Sequence, residues 1–210
     1  MTHSPRRAVA KNHEHTTTGS AVISLDEEAR TLFFIGPVED TSCGVFLQAF
    51  HLLDRSKGKI TIVMNSRGGE ESCGFAIYDV LKNSPNMISI ECYGAVQSIA
   101  ALILQGANER LMSQNCRFMI HNGHVQLPGQ IYQGTFGAMA KESAFATERY
   151  IEILASTSGS DIDTIRDMCN QETYLSATEA VSAGFADRII EQKVFQAPLK
   201  KPTKRKRKSK

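Results

Sequence analysis

The sequence predicts an α/β domain on a largely parallel sheet. Short apolar runs rich in β-formers alternate in strict order with helix-patterned stretches, the signature of strand–helix–strand units with right-handed crossovers. At 210 residues, with 41% apolar and 22% charged, the chain has the size and composition of one soluble domain, since single domains run to about 100–200 residues.

The elements follow in order. TLFFIG (31–36), KITIVMN (59–65), MISIECYG (87–94) and RFMIHN (117–122) read as buried strands, being short, apolar and β-branched. Helical patterns over 40–54, 71–83 and 98–105 follow the first three. A long helix is predicted over 133–156, where FGAMAKESAFATERYIEIL repeats small and apolar residues at helical spacing. In SATEAVSAG, Ser176 and Glu179 make a capping box and Gly184 is the stop. DRIIE (187–191) closes the domain as a last strand. Residues 1–20, GHVQLPGQ (123–130) and everything after Gln192 read as flexible or extended segments, and no internal repeat stands out. The division is therefore a flexible N-terminal segment (1–20), one domain (21–192) and a basic C-terminal tail (193–210).

Composition excludes several classes. The longest apolar run, Ile99 to Leu104, is far below the about 20 residues that span a bilayer, so neither a transmembrane helix nor a membrane partner is expected. The N-terminus has basic residues with no apolar region behind them, against a secretory signal, and the default compartment is the cytoplasm. Cys43, Cys73, Cys92, Cys116 and Cys169 are odd in number, scattered and without a C-x-x-C pair. They read as reduced, mostly buried thiols, neither a disulfide framework nor a metal site. Residues 200–210 hold eight of the 24 Lys and Arg and no acid, leaving 16 against 22 acids elsewhere, a body of net charge −6. Such a tail is either a solvated aid to solubility or a contact for nucleic acid or an acidic protein.

Ser98 interrupts the most apolar stretch of the chain, CYGAVQSIAALIL. It falls where a strand enters a helix, the sheet edge at which α/β proteins bind ligands. Its plain reading is an N-cap serine. NSRGGEE (65–71) also follows a strand and precedes a helix. Its paired glycines let a backbone N–H face outward, which suits a site for a developing oxyanion, and it lacks the spacing and lysine of a phosphate-binding loop. His121 ends the strand RFMIHN at the same sheet edge, whereas His3, His13 and His15 lie in the N-terminal segment, His51 in a helix and His124 in the following loop. If its Nε2 reaches Ser98 Oγ, it serves as general base and then general acid.

NSRGGEESCGFAIYDVLK, GAVQSIAALIL, RFMIHN and ETYLSATEAVSAGFAD, taken in that order and spacing, resemble the successive signatures of the proteolytic subunit of Clp protease, the ClpP family. RTLFFIGPVED resembles its first strand and turn. The resemblance runs from about Arg30 to Ile190. It implies Ser98 as nucleophile, His121 as general base, and the amides of Gly69 and Ile99 as the oxyanion hole. Where the family places the aspartate of its triad, this chain has Glu172, with a plain surface acid as the alternative and Asp167 as a nearby competitor. A glutamate can also orient an imidazole. Phage-encoded relatives are similar in carrying E-T here, which points toward a viral or prophage origin. Arg67 replaces the usual proline of N-S-P-G-G, removing a fixed φ and adding a charge near the substrate groove.

The resemblance further implies a crotonase-like ββα superhelix (the ClpP/enoyl-CoA hydratase superfamily) with a long handle helix, stacked heptameric rings forming a homo-oligomeric tetradecamer, and a closed proteolytic chamber. It implies no metal and no cofactor, unfolded polypeptide as substrate, and an AAA+ unfoldase of the Clp type as partner. The function expected is that of a serine endopeptidase. The alternatives are a phage head-maturation protease of the same fold, with the basic tail near DNA or scaffold, a non-catalytic ring subunit, and an acyl-CoA enzyme of the crotonase type. The last gives no reason for pairing Ser98 with His121.

Overall fold

A computed structural model describes residues 14–18, 21–123, 129 and 132–191. The rest of the expected flexible segments, including His124 and the basic tail, lies outside the described residues. The elements in chain order are β1 (Glu14–Thr18), β2 (Ala21–Asp26), β3 (Thr31–Ile35), α1 (Asp40–Asp54), β4 (Ile60–Ser66), α2 (Glu71–Lys82), β5 (Ile88–Gln97), α3 (Ile99–Gln105), β6 (Glu109–Met112), β7 (Arg117–Ile120), α4 (Gln133–Ser158), α5 (Ile162–Asn170), β8 (Thr173–Ser176), α6 (Ala177–Ser182) and β9 (Arg188–Ile189).

One nine-stranded sheet runs in the order β1-β2-β3-β4-β5-β6-β9, with β7 joined to β5 and β8 joined to β7. The pairs from β3 through β4, β5 and β6 to β9 are parallel, as are β5 and β7. The ends of the sheet are not. β1–β2, β2–β3 and β7–β8 are antiparallel, so the sheet is mixed, and among the described residues its first strand is Glu14–Thr18, inside the stretch expected to be a flexible segment.

The core forms where apolar periodicity turns inward. Ile60, Ile62 and Met64 of β4 alternate with half-exposed neighbours, and on α1 the buried Phe46 and Phe50 stack at 5.9 Å while Phe46 meets Phe34 edge-on. Every residue of α3 is buried. Phe118 of β7 stacks on Phe185 at 4.7 Å and ties the segment between α6 and β9 to the sheet.

Two features of this framework position the site. First, β5 serves two partners: Ser89–Cys92 pairs with β6, and Ala95–Gln97 pairs with β7. Between these halves its register against β4 shifts, at the point where Gly94 takes φ 70° and Asn65 Oδ1 accepts the Ala95 amide at 3.1 Å. The bulge redirects the strand and carries Gln97 and Ser98 out beside β7. Second, α4 buries residues only from Tyr150 onward (Tyr150, Ile151, Ile153, Leu154, Ala155). Its preceding turns have no buried residue, and Tyr132 (88% exposed), Phe136 (52%) and Phe145 (69%) face outward.

Candidate active site

Ser98 sits between β5 and α3 with φ 54° and ψ −130°, a region that a residue with a Cβ enters only when its surroundings force it. The forcing contacts are visible: its amide donates to the Met119 carbonyl at 2.8 Å, and its own carbonyl accepts the Tyr150 hydroxyl at 3.1 Å. Burial drives the Tyr150 phenol well above its ordinary pKa, so it stays a donor at neutral pH. A sharp strand-to-helix turn of this kind is how a serine hydroxyl is raised clear of the chain in nucleophile elbows. Ser98 occupies the N-cap position of α3, yet its side chain makes no capping bond. The plain N-cap reading therefore fails, and Ser98 Oγ lies 2.8 Å from His121 Nε2.

His121 directly follows β7, and Ser98 directly follows the β5 segment paired with β7. Strand pairing thus fixes the spacing of two residues 23 apart in sequence. Both side chains are half-buried.

The Gly68–Gly69 turn faces them. Gly68 accepts the Val38 amide at 2.9 Å and donates to Ser66 Oγ at 3.1 Å, while Glu70 donates to the Val38 carbonyl at 2.7 Å. Gly68 and Gly69 have φ of 94° and 150°. A Cβ on Gly68 would lie 2.7 Å from Ser98 Cβ, and one on Gly69 would overlap the Val38 carbonyl. Glycine is therefore required twice, for conformation and for close approach. Ile99 opens α3, so its amide has no acceptor within the helix, and among the described residues the Gly69 amide has no backbone acceptor either. Gly69, Ile99, Ser98 and His121 line one cavity of about 430 Å³, together with Glu70, Glu71, Gly123 and Tyr150.

Glu172 is placed differently. The β7–β8 register pairs Ile120 with Thr173, so one further step along the ladder would set His121 opposite Glu172. The ladder stops there because Glu172 turns to φ 50° and its amide donates to the Cys169 carbonyl, which also accepts the Asn122 amide. The exposed Glu172 carboxylate accepts the Tyr174 hydroxyl at 3.0 Å, a bond that is the main cause of the raised Tyr174 pKa. Asp167 is exposed on α5. The structure brings Ser98, His121, Gly69 and Ile99 to one cavity, whose described lining does not include Glu172, the acceptor of the Tyr174 hydroxyl.

Sequence reasoning missed Tyr150, Glu70 and Glu71 as cavity residues. GGEE, two acids directly after the glycine turn, was the available signal for the last two. Arg67 lies on another side, in a hollow with Arg117 and Tyr174. All five cysteines are free and buried, and burial raises the thiols of Cys73 and Cys169 to about 12. Among the described residues no group of three His, Cys, Asp or Glu side chains could hold a metal, and no helix is long and apolar enough to cross a membrane.

A strained serine in hydrogen-bond reach of a histidine, beside a pinned glycine turn, is an arrangement that acyl-transfer enzymes of many folds share. The lineage is decided by the whole chain: the sequence model of the family described as Clp protease matches residues 14–193, spanning the sheet, the glycine turn, Ser98, His121 and Glu172. This chain belongs to the Clp protease family, a family of serine peptidases.

Proposed function

We propose that the protein is a serine endopeptidase that cuts polypeptides through an acyl-enzyme on Ser98. The observation that carries this reading is the 2.8 Å approach of His121 Nε2 to the hydroxyl of a conformationally forced serine. In the reaction, Ser98 Oγ attacks the scissile carbonyl carbon while His121 Nε2 takes its proton. The carbonyl oxygen becomes the oxyanion, stabilised by the Gly69 and Ile99 amides. Collapse breaks the C–N bond, and the proton on His121 passes to the leaving amine. Water, deprotonated by the same nitrogen, then attacks the ester, releasing the new carboxyl terminus and restoring Ser98.

Within this reading Glu172 is the carboxylate that orients His121. It lies one residue beyond the Ile120–Thr173 pair that ends the β7–β8 ladder, and in this role its carboxylate exchanges the Tyr174 hydroxyl for the imidazole. The fold is a crotonase-like ββα superhelix. The outward aromatic residues on the unburied turns of α4 support a role for that helix as the handle between stacked heptameric rings of a homo-oligomer. Chambers of that kind admit unfolded chains, which an AAA+ unfoldase partner supplies, in the cytoplasm of a bacterium or an infected host.

The test is hydrolysis of an unstructured fluorogenic peptide by the assembled protein. Ser98→Ala should lower kcat by about 10⁴-fold or more with the assembly intact by native mass spectrometry. Retention of a tenth of the activity or more would refute the assignment.

A further inference from the structure

The cavity at Ser98 continues past the reacting groups. It shares Glu71 and Gly123 with a groove of about 700 Å³ between α2 and α4. Glu71 stands at the junction: a Cβ placed on Gly123 would lie 3.5 Å from Glu71 Oε1. The side chain is half-buried, and among the described residues it has neither an ion pair nor a hydrogen-bond donor. Burial, then the charge of Glu142, pushes its carboxyl above the ordinary glutamate range. Among the described residues no cationic side chain or hydrogen-bond donor relieves that charge.

An acid in the first turn of a helix is ordinary, because it complements the helix dipole, and Glu71 opens α2. That explanation does not cover Glu142, which belongs to a different helix and meets Glu71 across the groove. Asp79 lines the same groove. Among the described residues the one cation on its wall, Arg149, is bonded to Glu152 at 3.1 Å. Phe75, Met139, Phe145 and Ile153 give the wall an apolar stretch, with Ser72 and Ser143 beside it. A long aliphatic stem ending in a cation matches both parts, its methylenes on the apolar wall and its charge at the carboxylates. A leucine or methionine side chain would instead press against an unpaired half-buried acid, which costs free energy.

We propose that this pocket selects a lysine or arginine side chain flanking the substrate bond that is cut, with Glu71 receiving its cation and Glu142 acting as second acceptor. The assignment rests on the reading of Ser98 as nucleophile and adds a substrate class to it.

The test uses the full-length assembled protein and internally quenched peptides that differ only at the residues on either side of the cut bond, where Lys, Arg, Leu or Glu is placed in turn. Cut sites are mapped by mass spectrometry. Wild type should cleave the best basic peptide with kcat/KM at least tenfold above its leucine counterpart. Glu71→Gln should lower that ratio about tenfold, and Glu71→Lys should turn the preference toward the glutamate peptide. The melting temperature of Glu71→Gln should match or exceed that of wild type, because an uncompensated charge has been removed. A wild-type preference for leucine, or a ratio unmoved by Glu71→Gln, overturns the pocket while leaving Ser98 in place. Failure of every peptide, together with failure of a fluorophosphonate to label Ser98, overturns the nucleophile assignment and the pocket with it.

Discussion

Ser98 is held by three contacts from two elements: Met119 of β7 takes its amide, His121 just past β7 meets its hydroxyl, and Tyr150 of α4 binds its carbonyl. The residue type and position were legible in the sequence because a hydroxyl interrupts an apolar run at a strand–helix boundary. His121 was legible by its place at the end of a neighbouring strand. Glu172 was legible as a position but not as a geometry, since its left-handed backbone and its bond to Tyr174 depend on how α5 and β8 dock. If Glu172 must leave Tyr174 to reach His121, the Tyr174 hydroxyl holds it back by the net value of one hydrogen bond, about 0.5–1.5 kcal/mol. Tyr174→Phe should then raise kcat/KM for a small peptide by about two- to tenfold. A fall in activity in steady-state assays would show instead that the Glu172–Tyr174 bond belongs to the working arrangement.

Among the elements, α1 is found at the predicted 40–54, and α2, α3 and α4 begin or end within about two residues of expectation, the usual latitude of helix ends. Their apolar spacing is intrinsic to each segment. The capping box of Ser176 and Glu179 forms as read, with Gly184 just past the helix at φ 79°. Four strands, β1, β2, β6 and β8, were not predicted: EHTTT, ERLM and TYLS are short and at least half polar and become strands only through their partners, whereas AVISLD of β2 alternates buried and exposed residues at its start and was within reach. Helix α5 was within reach, because Asp161 caps it by accepting the Asp163 and Thr164 amides, and Ile162, Ile165 and Cys169 recur on one face. The contact of α2 with α3 supplies a sharper test of how elements serve the site. A Cβ on Gly74 would overlap Ile99 Cγ1, and Ile99 carries one of the proposed oxyanion donors. Gly74→Ala gains about 1 kcal/mol of helix propensity, yet overpacking of this kind costs about 1–3 kcal/mol. Net destabilisation by chemical denaturation, with a lower kcat for peptide hydrolysis, is the expected outcome. A more stable and fully active Gly74→Ala would show that α3 yields without moving Ile99.

At the scale of the whole molecule, the parallel centre of the sheet was legible from strand–helix alternation, while its antiparallel margins were not, because pairing direction at an edge is set by tertiary contacts rather than by the strand itself. Among the described residues nothing buries the start of α4: its first turns and the N-cap display Tyr132 and Phe136 and would gain from being covered, in the proposed assembly by another copy of the chain. Substituting both aromatics by glutamate should shift native mass spectra from large rings to smaller species, and an unchanged assembly would remove α4 from the interface. The central claim, that Ser98 is a nucleophile activated by His121, is tested most directly by labelling the assembled protein with a serine-directed fluorophosphonate, comparing wild type with Ser98→Ala and His121→Ala. Covalent modification mapped to Ser98 in wild type and lost in both variants is the predicted result. An assembled wild type that takes no label, or that takes it on another residue, would contradict the claim.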